Sequence, residues 1–262
     1  MPPWFPSSCG DGEAMPPARK QVIARMRTIG LIGGMSVEST VPYYQQINRH
    51  VAERLGGLHS APLLLYSVDF AAIAALQAAD DWLQAGEVLA NCARKLQRAG
   101  AEALVLCTNT MHKVAPAIEA AVDIPFLHVV DITAAAVCSA GIENVALLGT
   151  RFTMEQSFYR ERLQRHGLNV TVPDAADREC VHRVIFEELC CGRFEPASRR
   201  AYIDIIGRLA HGGAQAVILG CTEIGLLLSR DDSLLPLFDT TALHARAAAE
   251  FVLADRFPTC TG

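Results

Sequence analysis

Two related α/β halves, each a parallel sheet covered by helices on both faces, are predicted by three features of the 262-residue sequence. Short β-rich runs alternate with longer runs of helical periodicity. A strand with its polar end is written twice: residues 101–110 read AEALVLCTNT and residues 214–223 read AQAVILGCTE, which pairs Thr108 with Cys221 and Asn109 with Thr222. Residues 28–33 (TIGLIG) match residues 144–149 (NVALLG) in the same order. A weaker echo sets Val130-Asp131-Ile132-Thr133 beside Phe238-Asp239-Thr240-Thr241. One match between apolar strands means little, but several in the same order indicate duplication.

The first half reads βαβαβ, with strands at 28–32, 62–68 and 103–107 and helices at 39–55 and 86–98. In the second helix Val88, Leu89, Cys92 and Leu96 recur at helical spacing. A short helix at 115–121 and a strand at 126–130 follow. The second half repeats the theme with a strand at 144–148, a helix near 154–166 and a short strand at 170–172. Helices at 180–189 and 197–211 and a strand at 216–219 complete it. The last helix, 242–254, is apolar enough to pack back on the first half. The expected division is therefore a first domain of residues 27–131 with 241–258, and a second of 132–240. Residues 1–26 hold five prolines and no continuous apolar core, so they are expected to be a mobile extension rather than a secretory signal. A start at Met26 would leave the folded part whole.

Composition narrows the function. At 51% hydrophobic the chain can bury a sizeable core, and a formal net charge of -5 offers no basic footprint for nucleic acid. No apolar stretch reaches the roughly 18 to 20 residues a membrane span needs. Nine scattered cysteines without a Cys-x-x-Cys pair suit a reducing cytoplasm better than a disulfide scaffold. Neither they nor the eight histidines fall at metal-ligand spacings. A small-molecule partner is expected.

In open parallel sheets ligands bind at the carboxyl ends of strands. The Gly33-Gly34, Thr108-Asn109 and Cys221-Thr222 turns all fall there. Cys221 is the first candidate for chemistry: it follows a buried strand and precedes Thr222-Glu223-Ile224-Gly225, where backbone N–H groups would lower its pKa and release a thiolate. Cysteine is more often a small buried hydrophobe, and Cys92, Cys138, Cys180, Cys190 and Cys191 are read that way. Thr108, Asn109 and Thr110 can donate hydrogen bonds to a carboxylate, although such residues also serve as turn formers. Gly33-Gly34-Met35-Ser36 lacks the third glycine of a dinucleotide fingerprint, but lets backbone amides approach a carboxylate. His112 and Lys113 can face either pocket or solvent. Of the lysines Lys20, Lys95 and Lys113, only Lys113 could form a buried Schiff base, so a cofactor-free mechanism is expected.

The segments GLIGGMSVEST, CTNTMHK and LGCTEIG resemble the aspartate/glutamate racemase superfamily, in particular its broad-specificity or L-aspartate/glutamate-specific amino-acid racemases, over about residues 27–252. The resemblance implies two pseudo-symmetric Rossmann-like domains with the active site in the interdomain cleft, no cofactor, an amino-acid substrate and a homodimer. It also implies one cysteine from each half on opposite faces of the α-carbon, one removing a proton and the other returning one. Gly34, Met35, Ser36, Asn109, Thr110 and Thr222 are then expected to hold the α-carboxylate, with Thr150 and Glu223 beside the substrate. Arg151 and Lys113 are the available cations for an acidic side chain.

One position departs from the pattern. Where the family has cysteine before Asn-Thr, this chain has Thr108, and Cys107 one residue earlier should point to the opposite face of the strand. An alcohol is a far weaker acid than a thiol, which predicts a lopsided racemase in which Cys221 serves the L-enantiomer and Thr108 relays a proton poorly. Two rival readings are a single-cysteine decarboxylase or isomerase of the same superfamily, resembling arylmalonate decarboxylase or maleate isomerase, and a non-catalytic amino-acid-binding module.

Overall fold

The computed structural model describes residues 25–254. The N-terminal extension up to residue 24 and the end of the 241–258 segment lie outside the described residues.

The elements run in the order β1 (Ile29–Gly33), α1 (Val37–Leu55), β2 (Leu63–Ser67), α2 (Phe70–Ala78), α3 (Trp82–Arg98), β3 (Ala103–Leu106), α4 (Ala115–Glu119), β4 (Phe126–Leu127), α5 (Val129–Ser139) and β5 (Asn144–Gly149). They continue with α6 (Arg151–Glu155), α7 (Ser157–Arg165), β6 (Asn169–Thr171), α8 (Ala175–Glu187), α9 (Pro196–His211), β7 (Ala216–Gly220), α10 (Ile224–Leu227), β8 (Leu237–Asp239) and α11 (Thr240–Leu253). Single 3-10 turns lie at Thr110–Val114, Leu189–Cys191 and Arg230–Asp232.

The eight strands form two all-parallel sheets with the same order, β2-β1-β3-β4 and β6-β5-β7-β8. Registers repeat as well. Leu31 pairs with Val105 in the first sheet, and Leu147 pairs with Ile218 in the second. These are the pairs that the two strong sequence matches equate. The central strands β1, β3, β5 and β7 are almost wholly buried, as their unbroken apolar runs require when helices cover both faces.

The weak third echo is displaced by three residues. The expected strand at 126–130 stops at Leu127, because the His128 side chain accepts from Val130 N–H and starts α5 at Val129. On the other side Asp239 accepts from Thr241 and Ala242 N–H and starts α11. His128 and Asp239 are thus the equivalent positions, and Asp131 lies inside a helix. Helix α2 escapes the sequence reading because its alanine-rich face has no polar–apolar period. The expected helix at 154–166 is broken at Gln156, whose backbone is extended (φ -80°, ψ 151°).

The helices after the fourth strands cross between sheets. Helix α5 leaves the first sheet and packs Val129, Val130, Ala134 and Val137 onto Val145, Leu147 and Ile218 of the second. Helix α11 leaves the second sheet and packs Ala245, Ala248, Ala249 and Val252 onto Ile29, Leu31 and Val105 of the first, with Tyr43 of α1. Each lobe thus contributes a helix to the other's core, and the two strand ends are held facing one another.

Three buried histidines sit where these crossings meet. His244 Nε2 donates to the Leu127 carbonyl (2.7 Å), which leaves Nδ1 to accept from the Tyr43 hydroxyl (2.9 Å). His112 Nδ1 donates to the Thr108 carbonyl (2.7 Å), and its Nε2 accepts from Val129 N–H (3.3 Å). His128 stacks edge-on against His112, centroids 4.5 Å apart. Burial pushes all three below the usual histidine range, His128 to about 3 and His244 to about 4. The unfolded chain therefore takes up protons near pH 6.5 that the folded chain refuses, and stability, complete above that pH, is lost as pH falls below it. Urea midpoints should drop between pH 7 and pH 5, with a smaller drop in His244→Gln; a flat profile over that window would contradict the assignment.

Candidate active site

The polar ends of β3 and β7 open on one cavity of about 30 Å³ between the lobes, lined by Thr108, Asn109 and Thr110 from one side and Gly220, Cys221, Thr222 and Glu223 from the other. Met35 and Thr150, from the turns after β1 and β5, complete the paired ends. Cys221 is 7% exposed and faces this space, whereas Cys107 is fully buried with Ile29, Val105, Tyr43 and Ala248. Adjacent strand residues point to opposite faces, so Cys107 packs behind the site. Burial pushes its thiol well up.

Glu223 is 2% exposed and receives four donors. Its Oε1 accepts from Ser36 Oγ (2.8 Å) and Cys190 Sγ (3.5 Å), and its Oε2 from Cys221 Sγ (3.0 Å) and Thr222 Oγ1. Ser36 comes from the other lobe, so this carboxylate ties the two halves together. Burying a carboxylate is tolerated only when its lone pairs are filled, and here hydroxyls and thiols fill them.

The thiol of Cys221 is pushed well up, first by burial and then by the neighbouring Glu223 charge, with the thiol itself donating to that carboxylate. This corrects the expectation that backbone N–H groups would release a thiolate. Residues 221–223 form a turn, α10 starts only at Ile224, and the single backbone N–H that acts on the sulfur is outweighed. The resting pair is a thiol donating to a carboxylate. With Glu223 ionised, transfer of the thiol proton to it would move one negative charge without adding a second.

The equivalent pair in the first half is different. In the register that equates Thr108 with Cys221, Thr110 stands where Glu223 stands. Thr110 Oγ1 lies 2.9 Å from Thr150 Oγ1, and Thr150 lies 3.2 Å from Thr153 Oγ1. One strand end presents a thiol and a carboxylate, and the other presents only hydroxyls.

Other expected site residues have prior engagements. The Gly34 N–H, expected to meet a carboxylate, donates instead to Thr40 Oγ1 (2.8 Å). Glycine is required there because φ is +91° and a Cβ would collide with the Val68 carbonyl. The Asn109 amide donates to Thr240 Oγ1 (3.0 Å) and accepts from the Tyr159 hydroxyl (3.0 Å), leaving one amide proton for a ligand. Glu223, expected beside the substrate, is acceptor-only while ionised and would repel an α-carboxylate. Lys113 Nζ sits 3.7 Å above the Trp82 ring and 4.0 Å from Asp80, outside the cavity lining. Arg151 lines an adjoining hollow of about 500 Å³ that shares Gln77 and Phe186 with the inner cavity.

The sequence reading missed Phe70 and Gln77 of α2, Ile185 and Phe186 of α8, and Cys190. For α2 no periodic signal existed. For Cys190 a signal was present in Gly192, which ends the α8 segment in the left-handed region (φ +70°) and turns the cysteines out of helical register.

Duplicated parallel sheets with reactive side chains at facing strand ends define a class, and comparison with known proteins identifies it. The family model for Asp/Glu/Hydantoin racemase matches residues 32–248, and the chain belongs to that family. It is an isomerase fold shared with solved racemases. A Yersinia pestis protein of known crystal structure, provisionally described as an Asp/Glu racemase, is 55% identical, with a TM-score of 0.82 over 87% of this chain and 100% of that one. An aspartate racemase homologue from Pyrococcus horikoshii OT3 is 33% identical, with a TM-score of 0.76 over 87% and 99% of the two chains. The broad specificity amino-acid racemase RacX of Bacillus subtilis is 24% identical over 86% of this chain and 98% of its own length. Family and neighbours together support amino-acid racemase activity. Among the described residues, no helix is long and apolar enough to cross a membrane, and no cluster of histidine, cysteine and carboxylate side chains has metal-binding geometry.

Asn109→Ala removes both of that residue's buried partnerships and should lower stability by about 2 kcal/mol, read as a lower urea midpoint with an unchanged m-value; an unshifted midpoint would show the two bonds to be dispensable.

Proposed function

We propose that the protein racemises an amino acid, aspartate, glutamate or a wider set, by proton transfer at the α-carbon, and that it does so asymmetrically. The observation that carries this reading is the contrast between the two strand ends: Cys221 with Glu223 on one, Thr108 with Thr110 on the other. The Cys221 thiol hands its proton to Glu223 Oε2, 3.0 Å away, and the resulting thiolate takes the α-proton of an L-amino acid. Because the pair keeps its single negative charge, this step avoids the cost of charging a buried thiol beside a carboxylate. The hydroxyls of Thr108 and Thr110 and the free amide proton of Asn109 are donors suited to the carboxylate, on which charge develops as the α-proton leaves.

Return of a proton to the opposite face falls to Thr108, which regains its own proton from water while Glu223 releases to water the proton it took from Cys221. A hydroxyl is a poor acid and a poorer resting base, so loss of the α-proton from the L-enantiomer outpaces the reverse half-reaction from the D-enantiomer. A cavity of about 30 Å³ holds a water molecule, not an amino acid. Entry of an amino acid would then need the lobes to part, which would break the Ser36–Glu223 bond.

The lobe division at residues 27–131 with 241–258 and 132–240 belongs to the same reading, supported by the packing of α11 on the first sheet. So does assembly as a homodimer in a cytoplasmic setting. The dimer is supported by the exposed apolar stripe Val37, Val41 and Tyr44 on α1, and light scattering showing a monomer at micromolar concentration would remove it.

Single amino acids incubated in heavy water and separated by chiral chromatography test the central claim. Wild-type protein should put deuterium into L-aspartate or L-glutamate faster than into the D-forms. Cys221→Ala should lose exchange by at least about a hundredfold, while Cys107→Ala should keep it. Thr108→Cys should raise exchange into the D-enantiomer. A dead Cys107→Ala beside an active Cys221→Ala would reverse the assignment, and carbon dioxide release from the substrate would replace racemisation with decarboxylation.

A further inference from the structure

Cys190 is the second thiol in the cavity, and neither the strand repeat nor the paired strand ends account for it. It reaches the site by a specific local device. Helix α8 ends at Glu187, and Glu188 caps it (φ -118°, ψ -66°), its carboxylate accepting from Ser198 Oγ at 2.6 Å. A 3-10 turn then runs over Leu189–Cys191, closed by Gly192 N–H to the Leu189 carbonyl (3.0 Å) and by Arg193 N–H to the Glu188 carbonyl (2.9 Å). Leu189 is fully buried and anchors the turn, Cys191 faces solvent, and Cys190 between them lines the cavity.

We propose that Cys190 is a positioning residue for the proton transfer at Cys221: its thiol holds Oε1 of Glu223, and so keeps Oε2 turned toward the reacting sulfur. This rests on the racemase reading above. A carboxylate has two equivalent oxygens and rotates about its last bond unless both are bound. Thr222 and Cys221 bind Oε2, and Ser36 and Cys190 bind Oε1. Ser36 belongs to the opposite lobe and leaves when the cleft opens. Cys190 belongs to the same lobe as Glu223 and Cys221, so, although its turn also rests on α1 beside Glu38, its bond need not break on opening and can present Glu223 in working orientation before the substrate arrives. When Glu223 accepts the Cys221 proton on Oε2, Oε1 becomes a carbonyl-like acceptor that Cys190 still satisfies.

The other titratable groups acting on this cluster are the buried phenols Tyr43 and Tyr202, both pushed well above their ordinary range, with Glu38 and Cys191 acting on Cys190 itself. The phenols stay neutral through the working range.

The test compares wild type, Cys190→Ala, Cys190→Ser, Cys191→Ala and Cys221→Ala for α-deuterium exchange into L-aspartate and L-glutamate between pH 5 and pH 9, with thermal melts on each. Cys190→Ala should lower kcat about tenfold, as loss of one hydrogen bond to a charged group predicts, with KM changed less than about twofold. Its pH–rate profile should differ from that of wild type, because Glu223 loses one of its four donors. Cys190→Ser should restore both rate and profile, and Cys191→Ala should match wild type. A wild-type rate and profile in Cys190→Ala, or equal losses in the alanine and serine variants, would overturn the proposal and leave the racemase reading standing, provided Cys221→Ala is dead. Equal losses in Cys190→Ala and Cys191→Ala with matching drops in melting temperature would reduce Cys190 to packing. Absence of exchange in wild-type protein with every amino acid tried would remove both readings together.

Discussion

One buried carboxylate organises the cleft. Glu223 is almost completely withdrawn from solvent and is stabilised by four donors, drawn from the strand end that carries it, from the turn after α8 and from the opposite lobe. Such a group is tolerable only where the surroundings are shaped to satisfy it. The turn at 221–223, the break at the end of α8 and the closure of the lobes around Ser36 all converge on that requirement. The proposed chemistry leans on the same contact, since a proton passed from the Cys221 thiol to Glu223 would move charge from oxygen to sulfur without adding a second charge to the site.

Around this carboxylate the molecule is built twice, but its two halves have diverged in what they present. Strand order, register and the helix exchange through α5 and α11 repeat. The exchange matters for the site because each sheet's covering layer is anchored in the other lobe, which keeps the two strand ends opposed while leaving the cleft between them. At equivalent positions one end carries Cys221 and Glu223, and the other Thr108 and Thr110. The first half therefore presents hydroxyls and an amide and the second a thiol and a carboxylate, a division that a symmetric frame permits but does not require.

The buried histidines show how the frame supports the hydroxyl side. His112 fixes the carbonyl of Thr108 and accepts the first free N–H of α5, so the end of β3 and the start of the crossing helix are joined through one ring. His244 does the same between β4 and α1 through Tyr43. Neither ring lines the cavity. Their contribution is geometric, and it depends on their remaining neutral.

Much of this was legible in the sequence. The two strong internal matches located the four central strands and their polar ends, because strands buried on both faces must be continuously apolar and their mouths must be polar where a ligand binds. The alternation of side chains along a strand was enough to turn Cys107 away from the cleft and Cys221 toward it. The sequence did not disclose the alanine-rich α2, the true end of β4 at Leu127, or the cavity positions of Phe70, Gln77 and Cys190, since these depend on which faces meet after packing. The protonation of Cys221 was likewise decided only in three dimensions. A thiol's acidity is set by the charges and solvent around it, and the decisive neighbour, two residues away in the chain, acts through a side chain whose direction is chosen by donors 187 and 33 residues distant. Local pattern determined where the strands and their reactive ends lie; tertiary contact decided what state those ends are in, because electrostatic environment is a property of the assembled cleft and not of the segment.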